Sequence, residues 1–112
     1  MASDSRKVRM AQYGTKHSHA EGVLKVTLAN ADVDFVGVYE PDPLRRDQLK
    51  TSGRKPWSQV RWIDDVTEVL EDSTIAAISS EGATSESLDH TEAIVDAGKH
   101  VFFDKPAGED YP

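Results

Sequence analysis

Short apolar runs alternate strictly with segments of helical character along this chain of 112 residues. Such alternation requires parallel strands, because each helix carries the chain back to the edge of the sheet where the previous strand began. Right-handed crossovers then place helices on both faces. The predicted fold class is therefore α/β, a doubly wound parallel sheet of about five strands. The predicted strands are residues 7–13, 33–39, 60–63, 74–79 and 99–103.

The first strand leads into a glycine turn and a helix. Gly14 breaks the apolar run, and Ser18 with Glu21 has the S-x-x-E spacing of a capping box. Because a helix N-terminus collects free N–H groups and partial positive charge, this turn suits a phosphate group. The alternative is a strand–helix turn that binds nothing. The predicted apolar face of the helix consists of Ala20, Val23, Leu24 and Leu28.

Two later helices also carry terminal signals. Asp42 followed by Pro43 is typical of an N-cap with proline at the first helical position, and this helix is predicted to end near Lys50. A further helix is predicted over residues 86–97, and Gly98 is its C-terminal stop.

Composition narrows the classes of function. A formal net charge of −7 argues against nucleic acid or an anionic membrane as a partner. The chain contains no cysteine, which excludes disulfides and a thiol nucleophile and is consistent with a reducing cytoplasm, the predicted location. We expect residues 1–6 to be a flexible tail and 7–112 a single domain, with no signal peptide and no membrane-spanning segment.

Ligands of such sheets bind beyond the carboxyl ends of the strands, where the strand order reverses. Glu40 ends the second strand, 26 positions after Gly14 (40 − 14), and an acid there accepts hydrogen bonds from an adenosine ribose. A carboxylate at that position favours NAD over NADP, although Arg45 and Arg46 leave NADP open as the cofactor. The alternative for Glu40 is a solvated strand end.

Lys105 is the most suggestive single residue. It precedes Pro106 at the end of the fifth predicted strand, where its ammonium would point into the crevice and bind a ribose hydroxyl or a substrate oxygen. A surface lysine in the exit loop is the alternative.

Four segments of the chain resemble the N-terminal nucleotide-binding domain of the Gfo/Idh/MocA oxidoreductases. The segments are GTKHSHA, FVGVYEPDPLRRDQL, TIAAISS and AIVDAGKHVFFDKPAG, and the last is the most specific. The resemblance implies a nicotinamide-dependent dehydrogenase or reductase that acts on sugars, inositols or related polyols. It also implies that Lys105 lies near the nicotinamide ribose and the substrate as the catalytic lysine, and that Glu40 is the acid of the second strand.

Strand-end position and resemblance together give a predicted set of cofactor-binding residues. NAD is the predicted cofactor, and no metal site is predicted because His17 and His19 lack further ligands. The predicted set is Gly14, Thr15, Lys16, His17, His19, Glu40, Ser79, Ser80, Asp104 and Lys105.

The chain departs from the family pattern at several positions. Of the fingerprint G-x-G-x-x-G only Gly14 survives, with Lys16 at the second glycine and His19 at the third. Lys16 either obstructs the pyrophosphate or pairs with it as a cation. Asp104 replaces the usual glutamate before Lys105, and Ser79-Ser80 stands near the position of a Pro-Asn turn.

Family members continue into a second α/β domain with the substrate pocket and the oligomer contact. We therefore expect this chain to be truncated before that domain, to bind cofactor and not to catalyse; a homo-oligomer is left open. Two alternatives remain, a non-catalytic relative that has lost the cofactor and a receiver-type phospho-acceptor domain. A Ser-His-Asp hydrolase is disfavoured because the chain has no G-x-S-x-G motif.

Overall fold

Strand β1 (Val8–Tyr13) is the central strand of a five-stranded sheet in the computed structural model, which describes residues 7–82 and 87–103. The other strands are β2 (Val33–Tyr39), β3 (Trp62–Ile63), β4 (Ala77–Ser80) and β5 (His100–Phe103). The helices are α1 (Ala20–Ala29), α2 (Pro43–Thr51), α3 (Thr67–Leu70) and α4 (Ser87–Asp96), with a 3₁₀ turn at Trp57–Gln59.

The strand order is β3-β2-β1-β4-β5, and every neighbouring pair is parallel. The predicted doubly wound parallel sheet is therefore confirmed. The order reverses between β1 and β4, because the chain crosses over from the β3 edge to β4. Receiver domains have the order 2-1-3-4-5 instead, so the receiver alternative is wrong.

Two hydrophobic cores lie on opposite faces of the sheet. One packs α1 and α2 against the sheet through Leu24, Leu49 and Trp57. The other packs α3 and α4 through Val69 and Ile94. Ala11 of β1 pairs with Gly37 of β2 in the sheet register. Because successive residues of a strand point to opposite faces, Ala11 lies in the second core and Val38 in the first. Both cores are fully buried at their centres, which fixes the positions of the strand ends.

The predicted capping box at the start of α1 is wrong. The N-cap residue is His19, and it makes no side-chain capping hydrogen bond. The Glu21 carboxylate accepts instead from the Trp57 indole N–H and from Arg54, at 3.1 and 3.0 Å. The predicted apolar face is also too wide, because Leu28 is exposed. The first turn of α1 therefore keeps backbone N–H groups that no side chain of its N-cap satisfies.

Strand β4 begins later than predicted. The Asp72 carboxylate accepts from the backbone N–H and the hydroxyl of Thr74, and this local turn delays extension until Ala77. Lys99 is buried and its ammonium donates to the carbonyls of Asp72 and Ile75, which ties this turn to the start of β5.

Strand β3 is shorter than the predicted 60–63, since the 3₁₀ turn before it has Val60 as its C-cap. The predicted N-cap of α2 is confirmed: Asp42 accepts from the N–H groups of Leu44 and Arg45, and Pro43 opens the helix. Within the described ranges, no helix combines the length and hydrophobicity needed to cross a lipid bilayer.

Candidate functional site

The turn that follows β1 contacts the loop that follows β4, at the point where the strand order reverses. The Gly14 N–H donates to the Tyr39 carbonyl at 2.7 Å, and the Glu81 N–H donates to the Tyr13 carbonyl at 2.8 Å. Gly14 has a φ of +97°, which side chains other than glycine rarely adopt. A Cβ on Gly14 would lie 2.6 Å from the Gly82 nitrogen, so the two backbones are in direct contact.

The residues gathered at this end of the sheet are called the carboxyl-edge site below. Eight of the predicted cofactor-binding residues lie in it, while Asp104 and Lys105 lie outside the described residues. The members of the site are Gly14, Thr15, Lys16, His17, His19, Glu40, Asp42, Arg45, Ser79, Ser80, Glu81 and Gly82.

Glu40 is not the solvated strand end that the sequence left open, because it is only 1% exposed. Its Oε1 accepts from the Thr15 hydroxyl at 2.6 Å, and its Oε2 accepts from the Asp42 N–H at 2.9 Å. Thr15 is equally buried. Glu40 thus links the turn after β1 to the turn after β2, with a hydrogen bond to each of its carboxylate oxygens.

Two cations contact the neighbours of Glu40, Arg45 at Thr15 and Lys16 at Asp42. Arg45 donates through Nε to the Thr15 hydroxyl and through Nη2 to the Thr15 carbonyl, both at 3.2 Å. The Lys16 ammonium lies 2.8 Å from Asp42 Oδ2. Lys16 lowers the pKa of Asp42, and the backbone N–H groups that Asp42 caps lower it further. Arg46 Nη1 lies 3.7 Å from Asp64 Oδ1.

The two histidines of the turn contact each other. The His19 backbone N–H donates to His17 Nδ1 at 3.0 Å, and the centroids of the two imidazole rings are 5.1 Å apart. His17 is buried, and its backbone N–H donates to the Glu81 backbone carbonyl at 2.9 Å. His17 therefore joins the turn after β1 to the loop after β4. Among residues 7–82 and 87–103, no group of three or more side chains is arranged to bind a metal ion.

Ser79 and Ser80 end β4 and point to opposite faces of the sheet. Both are buried, and within the described part of the chain neither hydroxyl has a hydrogen-bond partner. Gln12 pairs with Ser79 in the sheet register; its amide nitrogen donates to the Gly14 carbonyl, and its amide oxygen also lacks a partner there. Unsatisfied polar atoms are rare in buried positions, and a water, an ion or a ligand is one of the groups that can satisfy them.

Sequence interpretation did not assign Gln12 or Asp42 to this region, and it did not predict that Arg45 contacts Thr15. A polar residue inside the apolar β1 was the available signal for Gln12. Asp42 was assigned only as a helix cap. The Arg45–Thr15 contact spans 30 positions and has no local signal.

A doubly wound parallel sheet with a glycine turn at its topological switch point defines the class of dinucleotide-binding α/β domains. The family profile described as "Oxidoreductase family, NAD-binding Rossmann fold" (GFO_IDH_MocA) matches residues 9–111. The chain belongs to this family, so the resemblance noted in the sequence is confirmed.

Solved structures share the fold. The chain is 24% identical to a protein assigned as an oxidoreductase from Erwinia carotovora atroseptica, with a TM-score of 0.69 over 89% of this chain and 28% of that one. A protein assigned as a myo-inositol dehydrogenase from Sinorhizobium meliloti is 21% identical, with a TM-score of 0.68 over 89% of this chain and 28% of that one. The WlbA dehydrogenase from Bordetella pertussis, solved with NADH and UDP-GlcNAcA, is 16% identical, with a TM-score of 0.67 over 90% of this chain and 29% of that one.

The chain thus spans just over a quarter of the length of these relatives. Among proteins with curated functions, none matches it.

Proposed function

We propose that this chain is the NAD(H)-binding part of an oxidoreductase that transfers hydride between a nicotinamide and a carbinol carbon of a sugar, inositol or related polyol. The family supports the oxidoreductase class. The names of two structural relatives, an inositol dehydrogenase and a dehydrogenase bound to a UDP-sugar, support the substrate class. Under this proposal, the chain by itself binds cofactor and does not catalyse. A cytoplasmic location and a homo-oligomer belong to the same proposal.

The contact between Gly14 and Gly82 is the observation that carries this proposal. It brings the turn after β1 against the loop after β4 with no side chain between them, so a ligand can approach both backbones at the switch point. The first turn of α1 lacks a side-chain cap, which leaves N–H groups for a pyrophosphate. The buried Ser79 hydroxyl and Gln12 amide oxygen, which lack partners among the described residues, are also suited to a polar ligand. These residues fit a dinucleotide.

The remaining predicted residues take roles around that ligand. Thr15, His17 and His19 shape the pyrophosphate turn, and the end of β4 contributes Ser79 on one face of the sheet and Ser80 on the other. When bound, NAD supplies the hydride acceptor at its nicotinamide ring. Lys105 orients the substrate hydroxyl and polarises its oxygen, and Asp104 precedes it in the sequence.

Calorimetric titration of the purified protein with NADH tests the proposal. We expect one saturable site for NADH, with the intrinsic fluorescence of Trp57 and Trp62 as a second readout. ATP at the same concentrations is the control, because it shares the adenosine and phosphates but not the nicotinamide. The absence of saturable NADH binding up to millimolar concentration would overturn the proposal.

A non-catalytic relative without cofactor is the second candidate. Two observations favour it: the carboxylate of Glu40 is already hydrogen-bonded inside the protein, and Lys16 replaces the second glycine. The same titration distinguishes the two, since a folded protein with a cooperative thermal transition and no response to NADH or NADPH would support this second candidate.

A further inference from the structure

The described residues cover one face of the sheet along only part of its width. On this face α1 and α2 pack over β2 and β3, whereas α3 and α4 pack on the opposite face. Beside α1, strands β1, β4 and β5 form the floor of an open groove of about 520 Å³. Parallel sheets are almost always covered on both faces, so a groove of this kind needs an occupant.

We infer that this groove is the docking site for an amphipathic helix from the part of the protein that follows residue 112, and that this helix passes closest to α1 at Gly22. The inference rests on the fold and on the length of the relatives, and it does not depend on cofactor binding.

The lining of the groove is mainly apolar. Met10, Ala77 and Ser79 lie on its floor, and Val23 and Val26 of α1 form its wall. Val26 is 71% exposed, although it stands beside this apolar floor. Contiguous exposed apolar surface of this kind marks an interaction site rather than a solvated face. At Ser79 the groove reaches the carboxyl-edge site, so an occupant would border that site.

The width of the groove fits one helix. Neighbouring strands are about 4.8 Å apart, so β4 and β5 together offer a strip about 10 Å wide. An α-helix with its side chains has a diameter of about 10 to 12 Å. The small side chains of Ala77 and Ser79 allow such a helix to lie close to the sheet. One helix placed beside α1 would therefore complete the layer on this face.

Gly22 identifies the point of closest approach. It lies in α1 and is exposed, and a Cβ added there would meet nothing within 4 Å among the described residues. Apart from proline, glycine is the least favourable residue in a helix interior. On the wall of the groove, one turn before Val26, the missing side chain lets a second backbone approach α1.

The terminal segments of the chain do not have the sequence of such a helix. Residues 1–6 are too few for two helical turns, and residues 104–112 contain two prolines and only one large apolar side chain, Tyr111. A second copy that met this face by two-fold symmetry would place groove against groove and fill neither. The chain spans 28% of the Erwinia relative, so most of the length of such a protein is available to supply the helix.

Gly22→Leu in the full-length protein tests the inference through the sign of its effect. In an open groove, leucine should raise the thermal midpoint, because it is a better helix former and meets no neighbour. Against a docked helix it should lower the midpoint by about 2 to 4 °C, and this is the result we expect. The same variant in the chain of residues 1–112 is the reference, and there the midpoint should rise.

Ala29→Leu is the matched control, since it adds the same side chain to an exposed position of α1 outside the groove. It should shift the midpoint equally in both proteins. Val26→Lys is the second variant: the chain of residues 1–112 should tolerate it because Val26 is exposed, whereas the full-length protein should lose stability. Hydrogen exchange should also be slower in α1 of the full-length protein than in α1 of the shorter chain.

A higher midpoint for Gly22→Leu in the full-length protein would overturn the inference, because the groove would then be open. A gene product that ends at residue 112 would overturn it as well. If Val26→Lys instead converts a dimer into a monomer in sedimentation equilibrium, the occupant is a second copy and the inference is wrong. None of these measurements includes NADH, so a failure of the proposed function is recognised separately.

Discussion

At the scale of single residues, Gly14 is required by both its conformation and its surroundings. Gly14→Ala would place a Cβ 2.6 Å from the Gly82 nitrogen at a φ of +97°. We expect a loss of about 2 to 5 kcal/mol in the free energy of unfolding, measured with urea, from the strained backbone and the clash.

Gly53→Ala is the matched control for Gly14→Ala. Gly53 also has a positive φ, +71°, but nothing lies within 4 Å of the added Cβ. Its cost should therefore be only the conformational part, about 1 to 2 kcal/mol. Equal costs for the two variants would show that the contact with Gly82 does not constrain the turn.

Lys16 allows a second prediction at this scale. Lys16→Gly should weaken NADH binding by about fivefold, because the turn after β1 loses a cation beside the proposed phosphate site. Lys16→Arg, which keeps the charge, should lie close to the wild type. Calorimetry decides the matter: tighter binding by Lys16→Gly would mean that the side chain obstructs the pyrophosphate.

At the scale of elements, local sequence was sufficient wherever the signal and its partner are close in the chain. Asp42 and Pro43 start α2 as predicted, because a cap acts within three residues. The capping box at Ser18 and Glu21 failed because Glu21 has a better partner 36 positions away, the Trp57 indole. Local spacing cannot reveal a competitor that only the folded packing brings near.

The same limit applies to the carboxyl-edge site. Strand ends are visible in the sequence, so the residues at the ends of β1, β2 and β4 were predicted as neighbours. The burial of Glu40 was not predicted, because it depends on the hydrogen bond from Thr15, 25 positions earlier, and on Arg45, which donates to the same Thr15 hydroxyl. Asp104 and Lys105 lie outside the described residues, and their roles stay predictions.

The contact between α1 and the 3₁₀ turn predicts how stability changes with pH. The Trp57 indole hydrogen bond, followed by the charges of Arg54 and Lys25, lowers the pKa of Glu21 below its usual 4.5. A group with a depressed folded pKa stabilises the protein above the unfolded pKa, and this contribution is lost as pH falls through the folded value. Urea unfolding should therefore show a stability difference between wild type and Glu21→Gln that is full at pH 7.

That difference should shrink as the pH falls below about 4.5, where the carboxylate of the unfolded chain becomes protonated. Glu71→Gln, an exposed change in the α3–β4 connection, is the matched control for removing one surface carboxylate and is measured alongside at the same pH values. A gap between wild type and Glu21→Gln that persists undiminished to pH 3 would contradict the role assigned to this hydrogen bond.

At the scale of the whole molecule, β1 joins two halves of the sheet that have separate cores. The first half contains β2 and β3, and the second contains β4 and β5. The carboxyl-edge site lies where the halves meet, and its contacts cross that boundary through Gly14 with Gly82 and His17 with Glu81. A ligand bound there would contact both halves, and its binding free energy would add to the stability of the entire fold.

NADH should therefore raise the global stability of the protein by mass action. At a free concentration one hundred times the dissociation constant, the gain in unfolding free energy is about 2.7 kcal/mol if the ligand binds only the folded state. Thermal unfolding with NADH varied over three decades measures it, and the midpoint should rise steadily once NADH exceeds the dissociation constant. A midpoint independent of NADH would mean that the site does not bind the dinucleotide in the folded protein.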